Sequence, residues 1–187
     1  MADPSYVTGG VLTDGDALVC IEETSLVGVA GLQWGTSTGT KNWSQYEDLL
    51  IIATVSASTG NGSKLLISVE GLGGSTYFSY QDIMGSGTSV AASDGLVADG
   101  TLCYGSTTST SGAIARIHNH NSLGTKKIIS KFLDNRAASN GNSGIFGTCF
   151  LLDWAIDRID IDFGSTTGAT GSKAWLYGIL PRMGLPE

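Results

Sequence analysis

The sequence predicts an all-β protein, an antiparallel jelly-roll β-sandwich of about eight strands with an extended N-terminal arm. Three observations carry that expectation. Gly, Ser and Thr supply 68 of the 187 residues and Pro only 3, so small turn formers dominate and strong helix formers are scarce. Arg158-Ile159-Asp160-Ile161-Asp162-Phe163 alternates strictly, which sends Ile159, Ile161 and Phe163 to one face and the charges to the other. Eight strand-like runs follow one another with no helical crossover between them, the pattern of a double antiparallel sheet; an up-and-down barrel is the competing arrangement.

In chain order, residues 1–40 come first and are compositionally distinct. They contain Asp3, Asp14, Asp16, Glu22 and Glu23, and no Lys or Arg precedes Lys41, so they hold −5 of the net −7. Short apolar runs at Ala17 to Ile21 and Leu26 to Leu32, broken by Gly and Asp, suit an extended arm or edge strands better than a packed core. A boundary near Lys41 follows, with an acidic arm over 1–40 and a jelly-roll domain over 41–187. Strands are expected at Asp48–Ser56, Lys64–Glu70, Tyr77–Ile83, Ala113–His118, Lys126–Leu133, Gly144–Leu152, Arg158–Phe163 and Lys173–Ile179. The segments between them, such as Ser58-Thr59-Gly60-Asn61-Gly62 and Asn140-Gly141-Asn142, are rich in residues that tolerate positive φ. Gly85 to Gly112 is too long for a hairpin loop and leaves room for short edge strands around Leu96-Val97 and Leu102-Cys103-Tyr104. Leu49-Leu50-Ile51-Ile52 and Cys149-Phe150-Leu151-Leu152 are apolar at both parities, as expected of strands covered on both faces or packed at a subunit contact.

The net charge of −7 repels phosphate backbones and anionic lipid, and no apolar run approaches the ~20 residues of a membrane span. Neither nucleic acid nor membrane is an expected partner. Cys20, Cys103 and Cys149 lie far apart with no C-x-x-C spacing, and read as small buried hydrophobes of a chain made in a reducing cytoplasm.

Chemistry-bearing patterns are sparse. His118 and His120 share a face only if the strand runs through them, and they lack nearby Asp, Glu or Cys in sequence, so they read as a polar strand end and not as a metal site. Asp153, Asp157, Asp160 and Asp162 cluster without the loop grammar of a calcium site, and read as the solvated side of a strand. No nucleophile elbow, phosphate loop or nucleophile–base constellation occurs, so the chain is expected to be neither an enzyme nor a cofactor binder. Between Arg116 and Arg136 the basic side chains Arg116, Lys126, Lys127, Lys131 and Arg136 face only Asp134, which suits a solvated face or a receiver for a neighbour's acidic arm. Trp34, Trp43, Tyr46, Tyr77, Tyr80 and Tyr104 open a second reading, because exposed rings on jelly-roll loops stack on sugars; burial of the same rings would favour a structural part.

Gln45-Tyr46-Glu47-Asp48-Leu49-Leu50-Ile51-Ile52, Lys64 to Val69 followed by Ser75 to Tyr80, and Ala115 to Asn121 with Thr125-Lys126-Lys127 form a recognisable layout. Over Gln45 to Ile179 this layout resembles a domain of tailed-bacteriophage virion proteins, including those of cyanophages. Its most specific part is Trp154 to Ile161 followed by Gly171 to Ile179; where the family often has Asp-Tyr, this chain has His118-Asn119. The resemblance implies a head decoration (cement) protein on the outer head of a virion, made in the host cytoplasm. Its expected partners are the major capsid protein or another virion protein and, as a homotrimer, itself. A tail or head fibre component binding a host receptor or carbohydrate is the alternative. In the decoration reading the arm docks through Val19, Ile21, Leu26, Val27 and Leu32, while Leu50, Ile52, Phe150, Leu152, Trp154, Ile159, Ile161, Trp175 and Tyr177 build the core or the oligomer contact.

Overall fold

The computed structural model describes residues 7–8, 11–12, 18–35, 43, 45–59, 63–69, 78–86, 89–96, 100–105, 107, 109–121, 124–134, 142–152, 155–164 and 166–180. These form fourteen strands and no helix: β1 (Val7–Thr8), β2 (Val11–Leu12), β3 (Leu18–Ser25), β4 (Gly31–Gly35), β5 (Asp48–Val55), β6 (Ser63–Val69), β7 (Phe78–Ser86), β8 (Ser89–Leu96), β9 (Gly100–Gly105), β10 (Ser111–His118), β11 (Gly124–Asp134), β12 (Asn142–Leu152), β13 (Arg158–Asp162) and β14 (Lys173–Ile179). One sheet has eight strands in the order β3-β14-β5-β10-β11-β12-β7-β8, a second has four in the order β4-β13-β6-β9, and β1 and β2 pair only with each other. Every pairing is antiparallel.

The strand order is that of a jelly roll. If β3, β4, β5, β6, β9, β10, β13 and β14 are taken as eight consecutive strands, the first, eighth, third and sixth are neighbours in one sheet, and the second, seventh, fourth and fifth in the other. The remaining strands are insertions. The hairpin β7–β8 falls between β6 and β9, and β11–β12 between β10 and β13; together they widen the larger sheet from four strands to eight.

All eight strand positions read from the sequence are strands, yet three of them, β7, β11 and β12, belong to the extension. The boundary at Lys41 is displaced accordingly. Residues 18–35, expected within the arm, supply the first two strands of the jelly roll and the edges of both sheets, where β3 pairs with β14 and β4 with β13. A low content of basic residues made this segment look foreign to the body, but strand pairing depends on backbone hydrogen bonds and apolar alternation, to which net charge is nearly irrelevant.

The core is built by parity. Leu49, Ile51, Ala53 and Val55 of β5 point between the sheets with Ala113, Ala115 and Ile117 of β10, Ala174 and Leu176 of β14, and Ile128 and Phe132 of β11. Trp34, Leu65, Leu102, Ile159 and Ile161 meet them from the four-stranded sheet. Beyond β10, Tyr104 of β9 reaches Phe132 and Phe146 with ring centroids 5.6 and 6.3 Å apart, and those two stack at 5.1 Å. This ring cluster seals the side where the wide sheet overhangs the narrow one. Two glycines allow close approaches: a Cβ on Gly178 would lie 2.3 Å from the Tyr46 ring, and one on Gly168 would lie 2.1 Å from the Leu26 carbonyl oxygen.

Trp154, assigned to the core from sequence, lies outside the described residues. Cys103 is buried as expected, whereas Cys20 is exposed because its β3 edge position has the opposite parity; Cys149 is intermediate.

Ile161, 1% exposed, should lose about 2–5 kcal/mol of stability on replacement by Ala. Asp162→Asn, on the solvated side of the same strand, should cost under about 0.5 kcal/mol. Gly178→Ala should cost about 1–3 kcal/mol by overpacking against Tyr46. Urea unfolding midpoints at neutral pH check all three.

Candidate assembly interface

Side chains of the opposite parity form the outer face of the eight-stranded sheet, and many of them are aliphatic. The ladder register aligns Trp175, Ile52, Ile114, Lys131, Ile145 and Ile83 in one row across six strands. Ile114 is 51% exposed, Ile145 47% and Ile83 57%, while neighbouring rows add Ile129 and the 71% exposed Leu133. Trp175, Tyr177, Leu50 and Ile52 are half-buried on the same face. Aliphatics scattered singly on a surface need no explanation, but a contiguous group marks a contact surface.

Gly112 sits in the middle of this face, and a Cβ there would touch nothing within 4 Å. The missing side chain leaves an open apolar groove of about 360 Å³ bordered by Ile52, Thr54, Gly112, Ile114, Lys131 and Leu133. Lys127 and Lys131 of β11 project from the exposed side of the same sheet. Neither is in an ion pair among the described residues.

A polar cluster closes one end of the face. Asp48, 4% exposed, accepts hydrogen bonds from Arg116 Nε at 2.7 Å and from the Asn119 backbone N–H at 3.3 Å, and His118 Nδ1 lies 2.9 Å from the same carboxylate. A buried carboxylate is tolerated where donors satisfy both oxygens, so the cluster pins β5 to β10 at the chain turn.

The two histidines part at that turn. Strand β10 ends at His118, and Asn119 takes a φ of 60°, the left-handed conformation that Asn adopts most readily among side-chain-bearing residues. His118 therefore stays on the outer face while His120 turns into the interior, fully buried. There the His120 Nε2–H donates to the Trp43 carbonyl at 3.0 Å, Trp43 Nε1 donates to the Ile156 carbonyl at 2.7 Å, and the Ile156 N–H donates to the His120 carbonyl at 2.7 Å. This three-membered ring of bonds ties together the loops before β5, after β10 and before β13. His120 Nδ1 is buried without a hydrogen-bond partner among the described residues. Burial pushes the imidazole below the usual histidine range, outweighing the Trp43 carbonyl and the Asp48 charge, which favour the proton.

The residues singled out from sequence divide clearly. Leu26, expected as a docking contact of the arm, is fully buried in the core, so that assignment is corrected: the turn after β3 folds inward, and its N–H bonds to the Ser172 carbonyl at 2.9 Å. Val19, Ile21 and Leu32 pack partly buried against the core, and Val27 is exposed. Ile159 and Ile161 are core residues, and Phe150 and Leu152 lie on β12 with side chains outside the described set. Trp34, Trp43, Tyr46 and Tyr104 are buried; Tyr77 and the Tyr80 side chain lie outside the described residues. Ile83, Ile114, Ile129, Leu133 and Ile145 were missed as a group. Their signal is adjacent apolar pairs, Ile128-Ile129, Phe132-Leu133 and Ile145-Phe146, in which one member must face outward.

Asp160 is held by Gln33 Nε2 at 2.8 Å and Arg158 Nε at 2.9 Å, and Asp162 accepts the Gly164 N–H at 2.6 Å. These carboxylates thus stabilise the solvated side of β13. Among the described residues no three His, Cys, Asp or Glu side chains gather as a metal site would require.

The lowered His120 value gives stability a pH dependence of known sign. The unfolded chain takes up this proton near the ordinary histidine value of about 6.5 and the folded protein only at lower pH, so stability is full above that value and declines as pH falls through the window below it. Urea midpoints should drop between about pH 7.5 and pH 5, and His120→Gln should shrink the drop. An unchanged slope in the variant would assign the acid sensitivity to other groups.

No protein-family model, no curated protein and no solved structure matches the chain, so its jelly-roll character stands on strand order alone.

Proposed function

We propose that this protein is a structural part of a tailed-phage virion, a jelly-roll block that decorates the outer head shell and joins protein surfaces through the outer face of its eight-stranded sheet. The observation that carries the reading is the aliphatic row Ile52, Ile114, Ile145 and Ile83 running across that face. Burial of Trp34, Trp43, Tyr46 and Tyr104 supports a structural part over a fibre that stacks its rings on sugars.

Magnitudes say how such a face works. Burying the exposed half of five aliphatic side chains stabilises a contact by roughly 5 kcal/mol. That only matches the low end of the ~4–15 kcal/mol cost of bringing two bodies together. A single contact is therefore weak, and firm attachment needs several contacts made at once, which an assembled shell or a closed ring of copies provides. Selective binding to the assembled shell then stabilises it by mass action.

Co-sedimentation with empty tailed-phage heads tests the proposal. The wild-type protein should pellet with heads and not with free coat subunits. Ile114→Lys and Ile145→Lys, both on exposed positions, should weaken head binding at least about tenfold with unfolding midpoints unchanged. Binding to host cells or glycans with none to heads would transfer the protein to the tail or fibre alternative.

A further inference from the structure

We infer that the outer face of the eight-stranded sheet stacks on the same face of a second copy of this chain, about a two-fold axis that runs along the strands midway between β10 and β11. The inference rests on that face being an assembly surface, as proposed above, and names a second copy as what meets it. The sheet itself marks the axis, because β3, β14, β5 and β10 lie on one side of this line and β11, β12, β7 and β8 on the other. Two sheets stack about 10 Å apart with their strands nearly aligned, so the axis sets each residue of a ladder row against the mirror position in the same row of the other copy.

The register makes the face self-complementary under this operation. Gly112 and Leu133 are ladder partners on either side of the line. Leu133, 71% exposed, is the most exposed large aliphatic among the described residues, and Gly112 opens the groove, so the axis seats Leu133 of each copy over Gly112 of the other. In the next row Ile52 meets Ile145 and Trp175 meets Ile83, and in the row beyond it Leu50 meets Gly147. At each of these positions a large side chain meets a hole or another apolar group. The six strands from β14 to β7, over seven residues of their length, offer a patch of about 29 by 24 Å, roughly 700 Å² when flat. Side-chain relief raises that towards the ~800 Å² that each partner gives to a stable pair. Lys131 is the exception: it lies beside the axis opposite Ile114 and next to Lys131 of the other copy, so like charges meet while the apolar stems are covered. A contact of this kind uses each face once and closes at two copies, where the resemblance implies three. The pair also carries two copies of every other surface, the multiplicity that firm attachment to a shell needs.

Sedimentation velocity on the full chain tests this, with urea midpoints to show that each variant stays folded. The wild-type protein should run as a two-chain species at high concentration. Gly112→Leu and Leu133→Ala should each weaken the pair at least about tenfold, whereas the two together, which exchange knob and hole, should restore it to within about threefold of wild type. Lys131→Met, which removes the like charges beside the axis, should tighten the pair at least about threefold. Additive losses in the double variant, or looser pairing on loss of Lys131, would overturn this stack. A wild-type protein that is monomeric or three-chain overturns it as well; if that protein still binds heads, the decoration reading survives, and if it does not, both fall. If pairing follows the expected pattern while heads are not bound, the inference stands and the decoration reading falls.

Discussion

The structure depends on one constraint, the two-residue period of a β-strand. A strand that carries apolar side chains at both parities cannot bury them all against one partner sheet. In β5, Leu49, Ile51, Ala53 and Val55 fill the space between the sheets, which leaves Leu50 and Ile52 outside. The same arithmetic puts Ile128 inside and Ile129 outside on β11, and Phe146 inside and Ile145 outside on β12. Core and outer face are thus two sides of the same runs, and any shift of register by one residue would exchange them.

The second determinant is the unequal width of the sheets. Four strands cannot cover eight, so the inner face of the extension needs another seal, and Tyr104, Phe132 and Phe146 provide it with large rings in mutual contact. Ala113 and Ala115 are small where β10 faces the opposite sheet, while Ile114 between them is large and exposed. This inversion of the usual size pattern concentrates aliphatic surface on the outer face, around a glycine that leaves an open groove.

The polar groups do their work at the ends. Asp48 joins Arg116, His118 and Asn119, while His120, Trp43 and Ile156 form the buried ring of bonds below it. At the opposite end Ser58, Thr59, Thr166 and Thr167 are linked through hydroxyl contacts, Ser56 Oγ lies 3.0 Å from Thr110 Oγ1, and Ser172 Oγ both accepts from the Ser56 N–H and donates to its carbonyl at 2.9 Å. Loops that cross between sheets have no ladder partners, so side chains and turns must satisfy their backbone. The abundance of Ser and Thr in this chain has that physical use.

By itself the sequence determined the fold class, the eight strand positions and the core parity of β13, because alternation and turn chemistry are local properties readable from neighbours along the chain. It also carried the apolar pairs that build the outer face, though not which member of each pair faces out. Tertiary structure alone decided that residues 18–35 belong to the body, since the partners of β3 and β4 lie more than a hundred residues away in β14 and β13. It decided that His118 and His120 part company, because a positive φ at Asn119 reverses the expected parity. It decided too that Ile52, Ile114, Ile145 and Ile83 share a row, because register between strands is set by the long-range closure of the whole sheet, which no local pattern encodes.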